Sequence, residues 1–235
     1  MYQPATFSEI LYDVSERIAT VTLNRPDKLN AWTSTMDREV REAMFLAEKD
    51  EDVRVIIFTG AGRGFCAGAD MSLLTGLVEH GLTDDARQTL HGYVGEARPE
   101  VARDFQRKYT YFASLRKPVI AAINGPAAGL GFILSLYCDL RFASEEARFS
   151  TAFARRGLIA EYGIAWMLPR LIGAAQALDL MLSSRMIPAS EALQMRLVNA
   201  IFPAATLMPQ VRAYALELAD KVSPRSMGIV KRQVY

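Results

Sequence analysis

The stretch from Pro118 to Cys138 carries no charged side chain, and it is long enough to suggest a membrane-spanning helix. However, Pro126 and three glycines interrupt it, and a proline inside a helix removes a hydrogen bond and clashes with the preceding turn. We therefore predict a buried strand over 118–123, a turn and then a buried helix, with no membrane span. A strand and helix this apolar require a substantial core around them.

The composition is that of an ordinary globular chain. Of the 235 residues, 51% are hydrophobic and 23% are charged, which excludes a disordered chain. Lys and Arg number 27 against 26 Asp and Glu, so the near-zero charge argues against binding nucleic acid or an anionic membrane. Two cysteines cannot form a disulfide framework, and the N-terminus lacks the pattern of a secretory signal, so we expect a cytoplasmic protein.

Hydrophobic patterns that alternate between strand and helix predict an α/β architecture. The predicted elements are a hairpin over 10–14 and 18–23, a helix capped by Thr33 or Ser34, buried strands over 53–59 and 118–123, short strands over 139–143 and 199–202, and helices from 162 onward, over 206–222 and over 227–234. We place a soft domain boundary at residue 173. It separates a core of residues 1–173 from a helical region of residues 174–235.

Two glycine-rich turns each follow a buried strand and precede a helix. They are TGAGRGFCAGADM (59–71) and INGPAAGLG (123–131). The first suggests a dinucleotide site, but the fingerprint requires a third glycine where Phe65 stands. Two such turns facing each other would present two N–H donors to one oxygen, which is what a carbonyl becoming an enolate requires. The alternative is that both turns only allow strands and helices to pack closely.

Four segments, in a fixed order, resemble the crotonase (enoyl-CoA hydratase/isomerase) superfamily. They are NRPDKLNAW (24–32), GFCAGADM (64–71), NGPAAGLGF (124–132) and MLPRLIGAAQALDLMLSSRMIPASEALQMRLVNAIF (167–202). The resemblance implies an α/β fold, a crotonase-like spiral of ββα units followed by a C-terminal helical region used for trimerisation. It also implies an acyl-CoA or enoyl-CoA substrate, with coenzyme A as part of the substrate rather than a cofactor, and a homotrimer or a dimer of trimers.

The same resemblance implies the positions of the binding groups. It assigns the two amides of an oxyanion hole to Ala69 and Leu130, and the contacts to coenzyme A to the backbone around Ala67 and to the Lys28 side chain. The predicted coenzyme-binding residues are Lys28, Ala67, Gly68, Asp70, Gly129 and Gly131. Asp70 matches a position of the family motif, and its alternative role is to fix the turn after Ala69.

The two glutamates that hydratases of this family use are missing here. Ile133 and Phe153 occupy those positions, and neither side chain can transfer a proton. Glu161 comes a little later, where dienoyl-CoA isomerases and an aryl-CoA dehalogenase of the family place their working carboxylate. An apolar pocket would raise the pKa of Glu161 and suit it to proton transfer near neutral pH. The alternative is an acid that only interacts with the dipole of the following helix.

The other polar candidates are weaker. His80 and His91 are more typical of exposed side chains, and Cys66 is more typical of a small buried residue than of a nucleophile. No His, Cys or carboxylate cluster has metal-ligand spacing, so we predict no metal.

The sequence thus predicts an enzyme of fatty acid or other acyl-CoA metabolism, a lyase or isomerase that stabilises an enolate and moves protons with one carboxylate. Two alternatives stay open: a divergent protein that binds CoA thioesters without hydratase activity, and an acyl-CoA thioesterase.

Overall fold

The main sheet extends from a hairpin near the N-terminus. The computed structural model describes residues 7–71, 99 and 101–235. Strands β1 (Ile10–Ser15) and β2 (Ile18–Leu23) pair antiparallel, which confirms the predicted hairpin. Glu16 and Arg17 join them with φ values of +52° and +62°, the left-handed backbone of a tight two-residue turn.

Two sheets organise the described residues. The further strands are β3 (Val55–Gly60), β4 (Val119–Ile123), β5 (Ala127–Ala128), β6 (Leu140–Ser144), β7 (Arg148–Ser150), β8 (Ile187–Pro188) and β9 (Ala200–Phe202). Six strands form the main sheet in the order β1-β2-β3-β4-β6-β9, and three form a small sheet in the order β5-β7-β8. The main sheet is parallel except for β1, and β8 runs antiparallel to β7 in the small sheet. Parallel neighbours need long crossovers, and α-helices lie in the chain between β2 and β3, between β4 and β6, and between β6 and β9.

Seven α-helices lie wholly within the described residues. They are α1 (Ser34–Lys49), α2 (Leu130–Tyr137), α3 (Ile164–Ile172), α4 (Ala174–Ser183), α5 (Ala189–Gln194), α6 (Ala204–Lys221) and α7 (Pro224–Val234), with 3₁₀ turns at Pro26–Lys28, Arg103–Gln106, Thr110–Ser114 and Ala154–Arg156. The hydroxyl of Thr33 accepts the Met36 N–H, so the predicted cap of α1 is confirmed.

The charge-free stretch divides as predicted into β4, a turn and α2. Every residue of both elements is buried. Within the described ranges, no helix is long and apolar enough to cross a membrane.

The main sheet is covered on both faces. Helix α6 covers one face, where Leu207 and Val211 pack in the same cluster as Ile57 and Ile120. The larger cluster includes the apolar stripe of α1 and nearly all of α2. Strands β8 and β9 and helix α6 all follow residue 173, so elements on both sides of that residue share both sheets. The division of the chain at residue 173 stays a prediction.

A buried cation ties the last helix to the edge of the strands. The Lys231 Nζ donates to the carbonyl oxygens of Phe112 at 3.0 Å and Lys117 at 3.2 Å, and to the Asp139 carboxylate at 2.7 Å. Lys231 is only 7% exposed. A charge withdrawn from water in this way is stable only while its partners remain, so the contact fixes α7 against the chain that flanks β4.

We expect Lys231→Met to destabilise the fold by about 3 kcal/mol, because the substitution leaves a partly buried Asp139 carboxylate without its counter-charge. Lys221→Met is the matched control, since Lys221 meets Glu217 in an exposed pair one helical turn away and should cost less than about 0.5 kcal/mol. Urea unfolding curves of both variants measure the difference. Equal losses would show that the buried pair has no special role.

Candidate active site

The two glycine-rich turns lie side by side. The Cys66 N–H donates to the Pro126 carbonyl at 3.1 Å, and the Ala128 N–H donates to the Cys66 carbonyl at 3.0 Å. Helix α2 then starts directly against this strand, because a methyl group on Gly131 would overlap the Cys66 carbonyl oxygen and lie 2.7 Å from the Cys66 Cβ. Only glycine allows the first turn of α2 to approach so closely.

The Ala69 amide points away from the strand that flanks it. Trp32 and Ala69 form an isolated parallel bridge, in which the Trp32 N–H donates to the Gly68 carbonyl at 2.8 Å and the Asp70 N–H donates to the Trp32 carbonyl at 2.9 Å. In a parallel bridge the residue between those two bonds directs its own N–H to the opposite side. The Ala69 N–H therefore faces away from Trp32, and it donates to no group in the described part of the chain.

The Leu130 amide is the first of α2. The neighbouring Gly129 N–H donates to the Ser150 carbonyl at 3.0 Å, and the Ile133 N–H donates to the Gly129 carbonyl at 3.0 Å. The first N–H groups of a helix have no partner within it. No described residue accepts the Leu130 N–H, which makes it an available donor at the positive end of the helix dipole.

Gly68 shows how close the two turns are. Its φ is +107°, and a methyl group there would lie 3.1 Å from the Ala128 carbonyl oxygen and 4.0 Å from the Leu130 nitrogen. The backbone just before Ala69 thus lies within van der Waals reach of the start of α2. This geometry places the turn that carries Ala69 against the start of α2, and neither sequence-predicted amide has a partner in the described residues. Two donors that reach one oxygen can stabilise a negative charge on it.

Asp70 belongs to a charged network beneath the Ala69 turn. The Arg25 Nη1 donates to the Asp70 carboxylate at 2.9 Å and to the Ala31 carbonyl at 2.6 Å, and Arg25 also lies 3.5 Å from the Glu9 carboxylate. These contacts hold the turn in place. The predicted role of Asp70 in binding coenzyme A stays a prediction, as do those of Lys28 and Ala67, whose side chains are exposed.

Glu161 lies in the loop before α3, which begins at Ile164. It is half-buried, and burial raises the pKa of its carboxyl group above the usual 4.5. No described residue forms a hydrogen bond or ion pair with that carboxylate. Ile133 is fully buried and Phe153 is 8% exposed. That these two positions correspond to the glutamates of the family's hydratases stays a prediction. The role of Glu161 stays a prediction.

A hydrogen bond anchors the Glu161 loop to α2. The Tyr137 hydroxyl, at the end of α2, donates to the Tyr162 carbonyl at 2.8 Å, and a side chain on Gly163 would collide with that hydroxyl. Tyr137 is seven residues, or about 10 Å along the helix, from the Leu130 amide. One short helix thus carries a predicted donor at its start and fixes the loop of the predicted base at its end.

The remaining candidates are Cys66, the two histidines and a metal site. Cys66 is fully buried, as predicted, and burial raises the pKa of its thiol to about 12, so little reactive thiolate forms. His80 and His91 lie outside the described residues. Over the ranges that the structure describes, no three His, Cys, Asp or Glu side chains are grouped as a metal site would need.

Sequence reasoning missed Tyr109, which lies beside Tyr162 with ring centroids 4.8 Å apart. It also missed Arg25 as the partner of Asp70. Neither contact has a local sequence signal, because each joins residues that only the folded chain brings together.

An α/β fold with a pair of backbone donors at facing turns defines a class of proteins that can polarise a carbonyl oxygen. The enoyl-CoA hydratase/isomerase family model matches residues 13–234, and the chain belongs to this family. The predicted superfamily is therefore confirmed.

Curated relatives support this assignment. The chain is 38% identical over 173 residues to 1,2-epoxyphenylacetyl-CoA isomerase of Escherichia coli K12, covering 74% of this chain and 62% of that protein. It is 40% identical over 169 residues to the probable enoyl-CoA hydratase EchA12 of Mycobacterium tuberculosis H37Rv, covering 72% of this chain and 56% of that protein. The match thus spans roughly three fifths of the length of these relatives.

Solved structures confirm the predicted fold class. An enoyl-CoA hydratase EchA12_1 from Mycobacterium marinum is 42% identical with a TM-score of 0.76, covering 97% of this chain and 96% of that chain. The Pseudomonas aeruginosa protein PA4980 is 29% identical with a TM-score of 0.83, covering 97% and 91% respectively.

Gly131→Ala should destabilise the protein by about 1–3 kcal/mol, because the added methyl group overlaps backbone atoms of Cys66 that cannot move aside freely. Gly228→Ala is the control within a helix, where the nearest atom is 3.3 Å away and the gain in helix propensity offsets the contact to within about 1 kcal/mol. Thermal or urea unfolding compares the two. A Gly131 variant as stable as the control would contradict the tight contact.

Proposed function

We propose that this chain binds an acyl-CoA thioester with its carbonyl oxygen between the Ala69 and Leu130 amides. The observation that carries the proposal is that the two turns lie side by side, and that neither the Ala69 nor the Leu130 N–H donates to a described residue. Charge gathers on the thioester oxygen as an enolate forms, and two fixed donors stabilise that charge more than they stabilise the neutral carbonyl. Family membership supports the choice of thioester.

Coenzyme A enters this proposal as part of the substrate. The exposed Lys28 side chain would meet its phosphates or pantetheine arm, and the exposed Ala67 backbone would receive its adenine. Gly68, Asp70, Gly129 and Gly131 would then shape the turns around the thioester. We propose no separate cofactor and no metal.

Glu161 is the proton carrier in this proposal. Once the enolate is stabilised, the carbon next to the thioester becomes acidic, and a nearby carboxylate can remove or return its proton. With one carboxylate, the enzyme can shift a double bond by taking a proton from one carbon and returning it to another. It can also hydrate a 2-enoyl thioester if a second group holds the water. Relatives named as an isomerase and as hydratases are consistent with both outcomes.

Glu161→Gln should lower turnover of 2-enoyl-CoA and 3-enoyl-CoA by about 100-fold or more, since an amide cannot take the proton. Glu146→Gln is the matched control, because that exposed carboxylate lies on the turn between β6 and β7 and has no role in the proposed mechanism, so its loss should leave turnover unchanged. Mass spectrometry of the acyl-CoA products measures both. Full turnover by the Glu161 variant would remove Glu161 from the mechanism.

The pH dependence of kcat/KM should reflect the burial of Glu161. A base acts only when ionised, and desolvation holds the pKa of Glu161 above 4.5, so kcat/KM should fall on acidification with a midpoint above that value. The rate that remains in Glu161→Gln should lack this acidic limb. A midpoint at or below 4.5, or a limb unchanged in the variant, would assign the titration to another group.

The same assays separate the other functions. A protein that binds CoA thioesters without catalysis would give heat on titration with acyl-CoA but no product. A thioesterase would release free CoA thiol. Either result would replace the proposal of enolate chemistry.

Exposed apolar side chains support a contact between copies of this chain, for which the family resemblance implies a homotrimer or a dimer of trimers. Leu178 and Leu182 lie four residues apart on the outer face of α4 and are 51% and 73% exposed, and Met186 follows at 61%. Side chains four apart on a helix share one face, and a contiguous apolar face of this kind is typical of an interface.

Leu182→Lys should shift the assembly to smaller species, because it places a charge in the proposed subunit contact. Leu11→Lys, on the exposed side of β1, is the control for adding a lysine at an exposed leucine. Size-exclusion chromatography with light scattering gives the mass of each. A monomeric wild-type protein would refute the proposed oligomer.

A further inference from the structure

Tyr109 has an unusual backbone directly before the 3₁₀ turn Thr110–Ser114. Its φ and ψ are +69° and −33°, a left-handed conformation that a bulky residue rarely adopts. Such a conformation costs about 1–3 kcal/mol and persists only where the surrounding contacts enforce it. Strain of this kind is concentrated at functional sites, so the contacts of Tyr109 matter.

Three contacts fix the Tyr109 ring. Its edge-to-face partner is Tyr162, at 4.8 Å between centroids, and Trp32 lies at 6.2 Å on another side. The Lys108 Nζ lies 5.2 Å from the ring centroid. Trp32 forms the bridge with Ala69, and Tyr162 follows Glu161 in the chain. The ring therefore spans from the strand that positions one proposed oxyanion donor to the loop of the proposed base.

The Tyr109 hydroxyl has no hydrogen-bond partner among the described residues. The residue is only 5% exposed, so its oxygen lies in a nearly buried position. By contrast, the Tyr137 hydroxyl is bound to the Tyr162 carbonyl. A nearly buried hydroxyl without a protein partner is a group whose hydrogen bonds a bound water molecule can satisfy.

The ionisation of Tyr109 favours the neutral hydroxyl. Burial raises its pKa well above 10, and the nearby Asp37, Tyr162, Tyr111 and Cys66 raise it further, so the proton stays on the oxygen at any physiological pH. A neutral hydroxyl can donate one hydrogen bond and accept others. Such a group can hold a water molecule in a fixed orientation without being consumed.

Hydration needs a group of this kind. Ile133 and Phe153 leave Glu161 as the only carboxylate in the proposed mechanism, and a single carboxylate can deprotonate a water but does not fix its approach. A water held between Glu161 and a second polar group would reach the β carbon in one orientation.

We propose that Tyr109 is a further catalytic residue, whose hydroxyl holds the water that adds to the β carbon of a 2-enoyl thioester. This inference rests on the proposed function. The water oxygen bonds to the β carbon while Glu161 takes its proton, and the π electrons move onto the thioester oxygen as the enolate. The enolate then takes the proton back from Glu161 at the α carbon. The product is a 3-hydroxyacyl thioester, and Tyr109 keeps its own proton throughout.

The test compares two reactions of the same protein. Hydration of 2-butenoyl-CoA, followed by the loss of its ultraviolet absorbance, needs the oriented water. Exchange of the α protons of butanoyl-CoA with deuterium oxide, followed by mass spectrometry, needs only the enolate and Glu161. Tyr109→Phe should lower kcat for hydration about 10- to 100-fold and leave the exchange rate within about twofold. Tyr214→Phe, on the half-exposed face of α6, is the control for loss of a tyrosine hydroxyl and should change neither rate.

Each other outcome overturns the inference in a distinct way. Unchanged hydration in Tyr109→Phe, or an equal fall in both rates, would reduce Tyr109 to a packing residue. A wild-type protein that exchanges α protons but does not hydrate would leave no step for the held water. A wild-type protein that does neither would refute the proposed function itself, together with this inference.

Discussion

The close contact between the first turn of α2 and the Cys66 strand is the constraint on which the candidate site depends. Gly131 permits it, because any larger residue would overlap the Cys66 carbonyl. The contact sets the start of α2 against the turn that carries Ala69. The proposed site requires both N–H groups to reach one oxygen, and the strength of such a site depends on how accurately its donors are held.

Helix α2 also links the parts of the site that are far apart in sequence. Its start provides the Leu130 amide, its interior carries the buried Ile133, and its last residue, Tyr137, binds the loop after Glu161. The proposed donor and the loop of the proposed base are therefore attached to the same helix. Rigid support of this kind is what proton transfer over short distances requires.

Much of the fold follows from local patterns. The hairpin, the Thr33 cap and the division of the charge-free stretch were all predictable, because alternation, capping and glycine placement act within a few residues. The two-residue strands β5 and β8 were not predictable, since they exist only through pairing with β7. The pairing of the Ala69 and Leu130 amides was proposed from family resemblance and stays a prediction. The contacts of Tyr109 with Trp32 and Tyr162 were not predictable, because the folded chain creates them across more than fifty residues of sequence.

The donors at the centre of this site belong to the main chain. Every residue type except proline carries the same N–H group, so substitutions at Ala69 or Leu130 change the walls of the cavity without deleting the donor. The proposed donors for a thioester oxygen would therefore survive most amino-acid substitutions, while the surrounding side chains could vary. A scaffold of this design can acquire new substrates and new proton carriers through single replacements and still retain its means of stabilising negative charge.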